Sequence, residues 1–310
     1  TAKFQLVAED DAADPKTGAI VAQKLCDMKV NGIVGHLNSG TTIPASRIYY
    51  DCGIPQITPS ATTPKVTKQG FESVFRVIAH DGVLGVALAK YAVDEMKVKR
   101  VVVIDDRTGY GQPLADIFTK QLEAKGVKVL ERHYTNDKAT DFAAILTSVK
   151  RVNPDLVFYG GMDAQAGPML RQMKQLGIKA KLIGGDGICT TELMRLGGDN
   201  VGSNVLCAEG GMALSKMPGG PAFEKRFKAQ FKADIQVYAP FVYDAVMTMG
   251  MAMKNAKSAD PKKYLPKLKE IRHEGVIGTI AFDEVGDVLN AAVTLNSYGP
   301  QGKFPVKVVN

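Results

Sequence analysis

The chain has 310 residues, of which 45% are hydrophobic and 23% are charged, a composition typical of globular proteins. This length favours two domains, and the apolar runs are too short to span a membrane, which takes roughly 18 consecutive apolar residues or more. The net charge is +7, but the 39 Lys and Arg residues are spread among 32 acidic residues without a basic tract. We therefore do not expect a nucleic-acid partner.

Strand and helix signals alternate along the chain. Asp14-Pro15 is a typical helix start, with Asp as the N-cap and Pro at the first helical position. The patterns predict strands at 4–8, 32–35, 55–58, 75–78, 100–104, 127–130, 156–159, 181–184, 204–208, 279–282, 292–295 and 306–309. They predict helices at about 15–27, 44–50, 82–96, 114–122, 142–149, 164–176, 190–196, 223–231, 238–256 and 261–271.

Short apolar strands that alternate with amphipathic helices indicate an α/β protein with parallel sheets covered by helices on both faces. Ligands of such sheets bind beside the carboxyl ends of the strands. The loops after strands are therefore the places to look for a site, and they span 36–42, 60–64, 105–111, 161–166 and 185–190.

Two of these loops are rich in hydroxyl groups, 36–42 and the segment Pro59-Ser60-Ala61-Thr62-Thr63-Pro64. Hydroxyls and free backbone N–H groups near a helix start suit a carboxylate or phosphate, and they serve equally well as caps and turns. Asp186 lies between glycines, where it either receives an ammonium group or simply stabilises a turn. Tyr110, also flanked by glycines, is either the wall of a cleft or a partly exposed loop residue.

The motifs of common α/β enzymes are missing. The chain contains no G-x-S-x-G, no P-loop and no G-x-G-x-x-G, and its four histidines are scattered without metal-ligand spacing. We therefore expect no enzymatic activity, no metal and no cofactor. The four cysteines, Cys26, Cys52, Cys189 and Cys207, form no CxxC and allow three disulfide pairings, among which the spacing does not choose.

Several short motifs occur together in one order. They are Asp10-Asp11-Ala12-Ala13-Asp14-Pro15, Gly35-His36-Leu37-Asn38-Ser39, Thr58-Pro59-Ser60-Ala61-Thr62, Tyr110-Gly111, Tyr159-Gly160-Gly161 and Gly185-Asp186-Gly187. In this order the chain resembles the leucine/isoleucine/valine-binding proteins of the periplasm, from about residue 3 to the C-terminus. The resemblance implies a type I periplasmic binding fold, with two doubly wound parallel-sheet lobes joined by three crossover strands.

On this resemblance the first lobe comprises 1–79 and 210–277, and the second comprises 80–209 and 278–310. The two positions that form a disulfide in some relatives are Ala13 and Asn38 here. Cys26 with Cys52 and Cys189 with Cys207 are the replacement pairs that we expect, because each pair falls within one lobe. Relatives also begin with a strand–helix unit before the segment matching 4–8, and we expect the full protein to be longer.

The resemblance also implies the ligand site. In relatives, the residues matching Ser39, Ala61 and Thr62 hold the α-carboxylate and amine of an amino acid, often joined by the carbonyl matching Ser60. The acid matching Asp186 takes the ammonium from the opposite lobe. The expected ligand-binding residues are Ser39, Ser60, Ala61, Thr62, Tyr110, Met162, Asp186 and Tyr238.

Two departures affect specificity. Relatives often have Glu at the position of Asp186 and Tyr at that of Met162, so the pocket here is expected to be wider or deeper. We expect a monomeric periplasmic protein that delivers an apolar or aromatic amino acid to the membrane permease of an ABC importer. The alternative is a ligand-sensing regulator of the same fold that binds an amide or an aromatic acid.

Overall fold

The computed structural model describes residues 3–309. Its strands form a three-stranded sheet, a two-stranded sheet and a seven-stranded sheet. The strands are β1 Ile33–Val34, β2 Gln56–Thr58, β3 Val74–Arg76, β4 Val101–Asp105, β5 Val129–Tyr134, β6 Leu156–Gly160, β7 Lys181–Gly184, β8 Val205–Gly210, β9 His273–Glu274, β10 Thr279–Ile280, β11 Val293–Gly299 and β12 Gly302–Val309.

Ten α-helices cover these sheets in the described part of the chain. Most lie within a few residues of their predicted positions, because their caps and apolar stripes are local signals. They are α1 Pro15–Asp27, α2 Ser39–Asp51, α3 Asp81–Asp94, α4 Gly111–Ala124, α5 Ala143–Val152, α6 Asp163–Gln175, α7 Thr191–Gly197, α8 Gly220–Phe231, α9 Ala239–Ala256 and α10 Pro261–Lys269.

The first lobe is built on the three-stranded sheet, in which β1, β2 and β3 are parallel neighbours. Its core combines strand residues with the inner faces of α9 and α10. Ile57 and Phe75 are buried with Phe241, Met249 and Tyr264 in one cluster. Burying a large apolar side chain stabilises a fold by about 1.5–3 kcal/mol, so this cluster fixes α9 against the strands.

The second lobe is built on the seven-stranded sheet, with the order β12-β11-β8-β7-β6-β4-β5. From β5 to β8 the neighbours are parallel, as predicted, whereas β11 pairs antiparallel with both β8 and β12. The rings of Phe118 and Phe158 stack with centroids 4.1 Å apart on one face of the sheet. Tyr159, the next residue of β6, is fully buried in a separate cluster on the other face.

The chain passes between the two lobes three times: after β3, after β8, and between β10 and β11. Before the last passage, Ile280 and Phe282 are still buried in the core cluster of the first lobe. Phe282 also packs its ring against Phe75, with centroids 4.8 Å apart.

The structure contains two disulfides, and they join the two pairs of cysteines that were expected because each pair falls within one lobe. Cys26 bonds Cys52, which ties the end of α1 to the end of α2, and Cys189 bonds Cys207, which ties the loop after β7 to β8. Closing chain segments of these lengths stabilises a fold by about 3 kcal/mol each, chiefly by restricting the unfolded chain.

Two predicted elements differ from the structure, and one observed strand was not predicted. Residues 4–8 form no strand, and Phe4 and Leu6 are largely exposed, because no described strand lies beside this segment to pair with it. The helix predicted to begin at Pro44 begins at Ser39 and carries Pro44 in its interior. Strand β9 was not predicted, since a two-residue strand has no periodicity of its own. No helix among residues 3–309 has the length and apolar character needed to cross a membrane.

Candidate functional site

The two hydroxyl-rich loops of the first lobe lie side by side, after β1 and β2. Ser39, the first residue of α2, accepts a hydrogen bond from the backbone N–H of Thr63 at its Oγ (3.3 Å). Ser60 Oγ donates to the carbonyl of Leu37 at 3.0 Å. Because β1 and β2 are parallel neighbours, their carboxyl ends bring the two loops to one edge of the sheet.

A buried arginine is hydrogen-bonded to the second of these loops, which contains Ser60. The Arg76 guanidinium in β3 donates to the carbonyls of Ala61 (3.1 Å) and Thr63 (2.7 Å). Its Nε donates to Asp287 Oδ1 at 3.0 Å, from the segment that leads into the third passage between the lobes. Arg76 is fully buried, so its charge is compensated by this carboxylate. The ligand loop and the lobe connection therefore share one ion pair.

On the opposite lobe, Asp186 follows β7 and is buried between two tyrosines. Tyr110 donates its hydroxyl to Asp186 Oδ1 at 2.7 Å and itself accepts from the N–H of Gly187 at 2.9 Å. Tyr238, which precedes α9 of the first lobe, donates to Asp186 Oδ2 at 2.9 Å. Each carboxylate oxygen thus has one phenolic donor, one from each lobe.

Burial dominates the electrostatics of this cluster. It raises the pKa of Asp186 above its usual range, while the hydrogen bonds from Tyr110 and Tyr238 act in the opposite direction. Burial and the Asp186 charge raise the pKa of both tyrosines well above their usual range. The hydroxyls therefore remain protonated donors at neutral pH, and the carboxyl is their acceptor.

Six of the eight predicted ligand residues line a single cavity between the lobes. In this conformation the cavity holds about 10 Å³, enough for about one water molecule. An amino acid therefore enters only when the lobes move apart. Ala61 and Thr62, which follow Ser60 in the chain, are buried and do not line the cavity. The lining residues are Leu37, Asn38, Ser39, Ser60, Tyr110, Met162, Asp186, Gly187 and Tyr238.

A larger cavity of about 220 Å³ also lies between the lobes. Its lining includes residues that precede and follow Tyr238 in the sequence. Its charged groups, Glu209 and Lys303, form an ion pair with each other. A binding site is marked by a few convergent polar groups and by residues with perturbed pKa values as well as by its volume. The smaller cavity, with Asp186 facing two hydroxyl-rich loops, therefore fits a small polar ligand better.

Sequence reasoning missed two buried residues of this region, Arg76 and Asp81. Arg76 lies inside an apolar run that predicts a strand. A charged residue in a buried strand is unusual, and this could have identified Arg76 from the sequence. Asp81 is the first residue of α3, and its backbone N–H donates to the carbonyl of Thr62 at 2.8 Å. Its carboxyl oxygens have no hydrogen-bond partner among residues 3–309.

Two α/β lobes joined by three connections, with a polar site in the cleft between them, define the class of two-lobed small-molecule-binding proteins. The sequence profile of the periplasmic binding protein family matches residues 1–297. The chain belongs to this family, and its fold is the type I periplasmic binding fold, as predicted.

Relatives of known name cover nearly the whole chain. A Leu/Ile/Val-binding protein homolog of Brucella abortus is 35% identical over 92% of this chain and 76% of its own length. A leucine-, isoleucine-, valine-, threonine- and alanine-binding protein of Pseudomonas aeruginosa is 33% identical over 95% of this chain and 78% of its own. The crystal structure of a leucine-binding protein of Thermotoga maritima superposes with a TM-score of 0.91, at 28% identity, over 97% of this chain and 86% of that one.

Proposed function

We propose that this protein binds a zwitterionic apolar amino acid of the branched-chain type between its lobes and presents it to the permease of an ABC importer. The observation that carries the proposal is the charge arrangement of the cleft. Asp186 supplies a buried carboxyl group on one lobe, and the loops of Ser39 and Ser60 supply hydroxyl groups on the other. An ammonium and a carboxylate on one ligand match these two sides.

The ligand acts as a bridge in this proposal. Groups on both lobes contact it, so it binds the closed form better than the open form and shifts the population towards closure. The two predicted lobes move as two rigid bodies. The first is 1–79 with 210–277, and the second is 80–209 with 278–310. We revise one boundary, since residues 278–288 move with the first lobe. Support for that assignment comes from Ile280 and Phe282, which are buried against first-lobe side chains.

Ala61 and Thr62 position the ligand's polar end, and Met162 and Tyr238 face its side chain. Met162 is flexible and apolar, which suits side chains of different shapes. The Pseudomonas aeruginosa relative is named as a binding protein for leucine, isoleucine, valine, threonine and alanine, and the Brucella abortus relative is named as a homolog of Leu/Ile/Val-binding proteins. We further propose that the protein is a monomer that works in the periplasm and does not catalyse a reaction.

A titration with matched ligands tests the proposal. L-leucine is compared by calorimetry with 4-methylpentanoate, which lacks the amine, and with 3-methylbutylamine, which lacks the carboxylate. L-leucine should bind, and at 100 times its Kd it should stabilise the fold by about 2.7 kcal/mol. The two truncated ligands should bind at least about tenfold more weakly, since each leaves a buried polar group unpaired.

The same titration separates the alternative function. A regulator that senses an amide or an aromatic acid would bind isovaleramide or benzoate more tightly than any amino acid. That result, or the absence of binding by L-leucine, isoleucine, valine and phenylalanine, would contradict the proposed function.

A further inference from the structure

The loop that carries Asp186 leaves β7 and forms one turn of 3-10 helix at Asp186–Ile188. The N–H of Cys189 closes this turn by donating to the carbonyl of Asp186 at 2.9 Å. The carbonyls of the three residues that follow Gly187 then accept hydrogen bonds from side chains of a single hairpin, β11–β12. Buried backbone groups outside helices and strands need partners of this kind. The hairpin therefore determines the path of the loop backbone behind Asp186.

Tyr298 in β11 contacts two of these three carbonyls with one hydroxyl. Its oxygen lies 2.8 Å from the carbonyl oxygen of Ile188 and 3.0 Å from that of Thr190, so the hydroxyl shares its hydrogen between them. The Tyr298 side chain is fully enclosed, and burial raises the pKa of its phenol well above the usual range. The hydroxyl is therefore a donor at every pH at which the protein is folded.

The carbonyl between these two is held by Lys303 in β12. The ammonium of Lys303 donates to the carbonyl of Cys189 at 2.8 Å and forms an ion pair with Glu209 of β8. Cys189 is also bonded to Cys207 of β8, which attaches the loop covalently to the sheet. Three attachments of different chemistry thus meet on three consecutive residues of the loop.

These attachments lie behind the ligand site. Asp186 and Gly187 line the cavity between the lobes, whereas Tyr298 is outside that lining. A carboxylate that receives an ammonium must be held within about 0.5 Å of its productive position, and the groups behind it supply that precision. Tyr298 has no route to the ligand except through the loop that it holds.

We propose that Tyr298 is a positioning residue of the ligand site, which fixes the Asp186 loop in its binding geometry before the ligand arrives. This inference rests on the proposed function. When the lobes part, Tyr238 moves away with the first lobe, whereas Tyr298 stays with the loop because both belong to the second lobe. A preset acceptor loses little conformational freedom when the ammonium binds, and the resulting gain in affinity is confined to ligands that carry an ammonium.

The variant Tyr298→Phe tests the proposal, because it removes the hydroxyl and keeps the ring. In calorimetry its affinity for L-leucine should fall by about tenfold, since the ligand must now order the loop. Its affinity for 4-methylpentanoate, which has no ammonium, should change by less than about twofold. A residue that only stabilises the fold would leave both affinities of the folded protein unchanged.

Tyr264→Phe is the matched control. Tyr264 is as buried as Tyr298, and its hydroxyl donates to the backbone carbonyl of Asn31 at 2.7 Å, in the first lobe and outside the cavity lining. Both variants lose a buried hydrogen bond and should melt at lower temperature, but only Tyr298→Phe should lose affinity for L-leucine.

Three results overturn the inference and leave the proposed function standing. They are an unchanged affinity of Tyr298→Phe for L-leucine, an equal loss of its affinity for 4-methylpentanoate, and an equal loss of L-leucine affinity in Tyr264→Phe. Absence of L-leucine binding by the wild type overturns both the inference and the proposed function.

If Tyr298→Phe does not fold, hydrogen exchange of the wild-type protein decides. The amides of residues 186–190 should exchange slowly without ligand, and L-leucine should slow them by less than about fivefold, because the hairpin already orders them. Slowing by more than about fivefold would mean that the ligand orders the loop, which overturns the inference.

Discussion

The hydroxyl of Tyr238 donates a 2.9 Å hydrogen bond to Asp186 Oδ2, and this bond joins the two lobes across the cleft. Asp186 has Tyr110 on its other oxygen, from its own lobe. A hydrogen bond to a charged group contributes about 1.5–3 kcal/mol. This contact favours closure of the cleft, and the cavity between the lobes holds about 10 Å³.

Replacing Tyr238 by Phe should therefore open the ligand-free protein. The variant removes the hydroxyl and keeps the ring, so the closed form loses about 1.5–3 kcal/mol relative to the open form. Small-angle X-ray scattering should give a larger radius of gyration for Tyr238→Phe than for the wild type without ligand. Tyr243→Phe, in the helix that follows Tyr238 but outside the cavity lining, is the control and should leave the radius unchanged. Equal radii of gyration for the wild type and both variants would contradict a role of the Tyr238–Asp186 hydrogen bond in closure.

Asp186→Ala should abolish binding of amino acids. It removes the acceptor for the ammonium and leaves that charge unpaired in a closed cleft, which costs about 2–5 kcal/mol, or at least about 30-fold in affinity. Calorimetry with L-leucine measures the loss, and Asp199→Ala, at an exposed turn, is the control. A neutral amide or an aromatic acid does not depend on this carboxylate. If the variant kept full affinity for L-leucine, Asp186 would not be the ammonium acceptor.

Arg76→Lys should destabilise the protein although it retains a positive charge. Lys cannot reproduce the hydrogen bonds that Arg76 makes to Asp287 and to the carbonyls of Ala61 and Thr63. Breaking a buried pair costs about 3–5 kcal/mol, and we expect a loss of about 3 kcal/mol in urea unfolding. The exposed pair of Arg47 and Asp51 provides the control, since Arg47→Lys should cost less than about 1 kcal/mol. If both variants lost the same free energy of unfolding, the buried hydrogen bonds of Arg76 would contribute no more to stability than an exposed ion pair does.

Asp106→Asn should stabilise the protein at neutral pH. Burial raises the pKa of Asp106 from 3.8 to about 6, and its Oδ2 has no hydrogen-bond partner among the residues that the structure describes. The folded state binds this proton more tightly than the unfolded state, so the group costs stability above about pH 6 and stops doing so below its unfolded pKa. The gain in free energy of unfolding should be about 3 kcal/mol at pH 7 and should shrink towards zero below about pH 4.

Urea unfolding at both pH values measures this gain, with Asp199→Asn as the control at an exposed position. A gain that grew as the pH fell would mean that the pKa of Asp106 is lowered rather than raised.

Local signals in the sequence were enough for most of the fold. The Asp14 cap, the turn glycines and the apolar stripes place the helices, and alternation of strands and helices gives the two parallel sheets. The antiparallel edge of β11 and β12 was not foreseen, because strand direction at an edge is decided by a turn and by pairing. The segment 4–8 carries a strand pattern, yet pairing needs a neighbouring strand and none lies beside it in the described chain.

The residues that line the cavity were predictable where they stand in recognisable loops, as Ser39, Ser60 and Asp186 do. Arg76 and Asp81 were missed for a different reason. Arg76 finds its carboxylate 211 positions further along the chain, at Asp287. Asp81 sits at a helix start, where an aspartate normally serves only as a cap. Only the tertiary arrangement brings it into the electrostatic field of Asp186.

A crystal structure of the protein grown with L-leucine tests the central claim most directly. The account predicts a closed cleft with the ligand's ammonium about 3 Å from Asp186 and its carboxylate against the loops of Ser39 and Thr62, at hydrogen-bond distance. A ligand in the larger cavity beside Glu209 and Lys303, or one with its carboxylate turned towards Asp186, would contradict it.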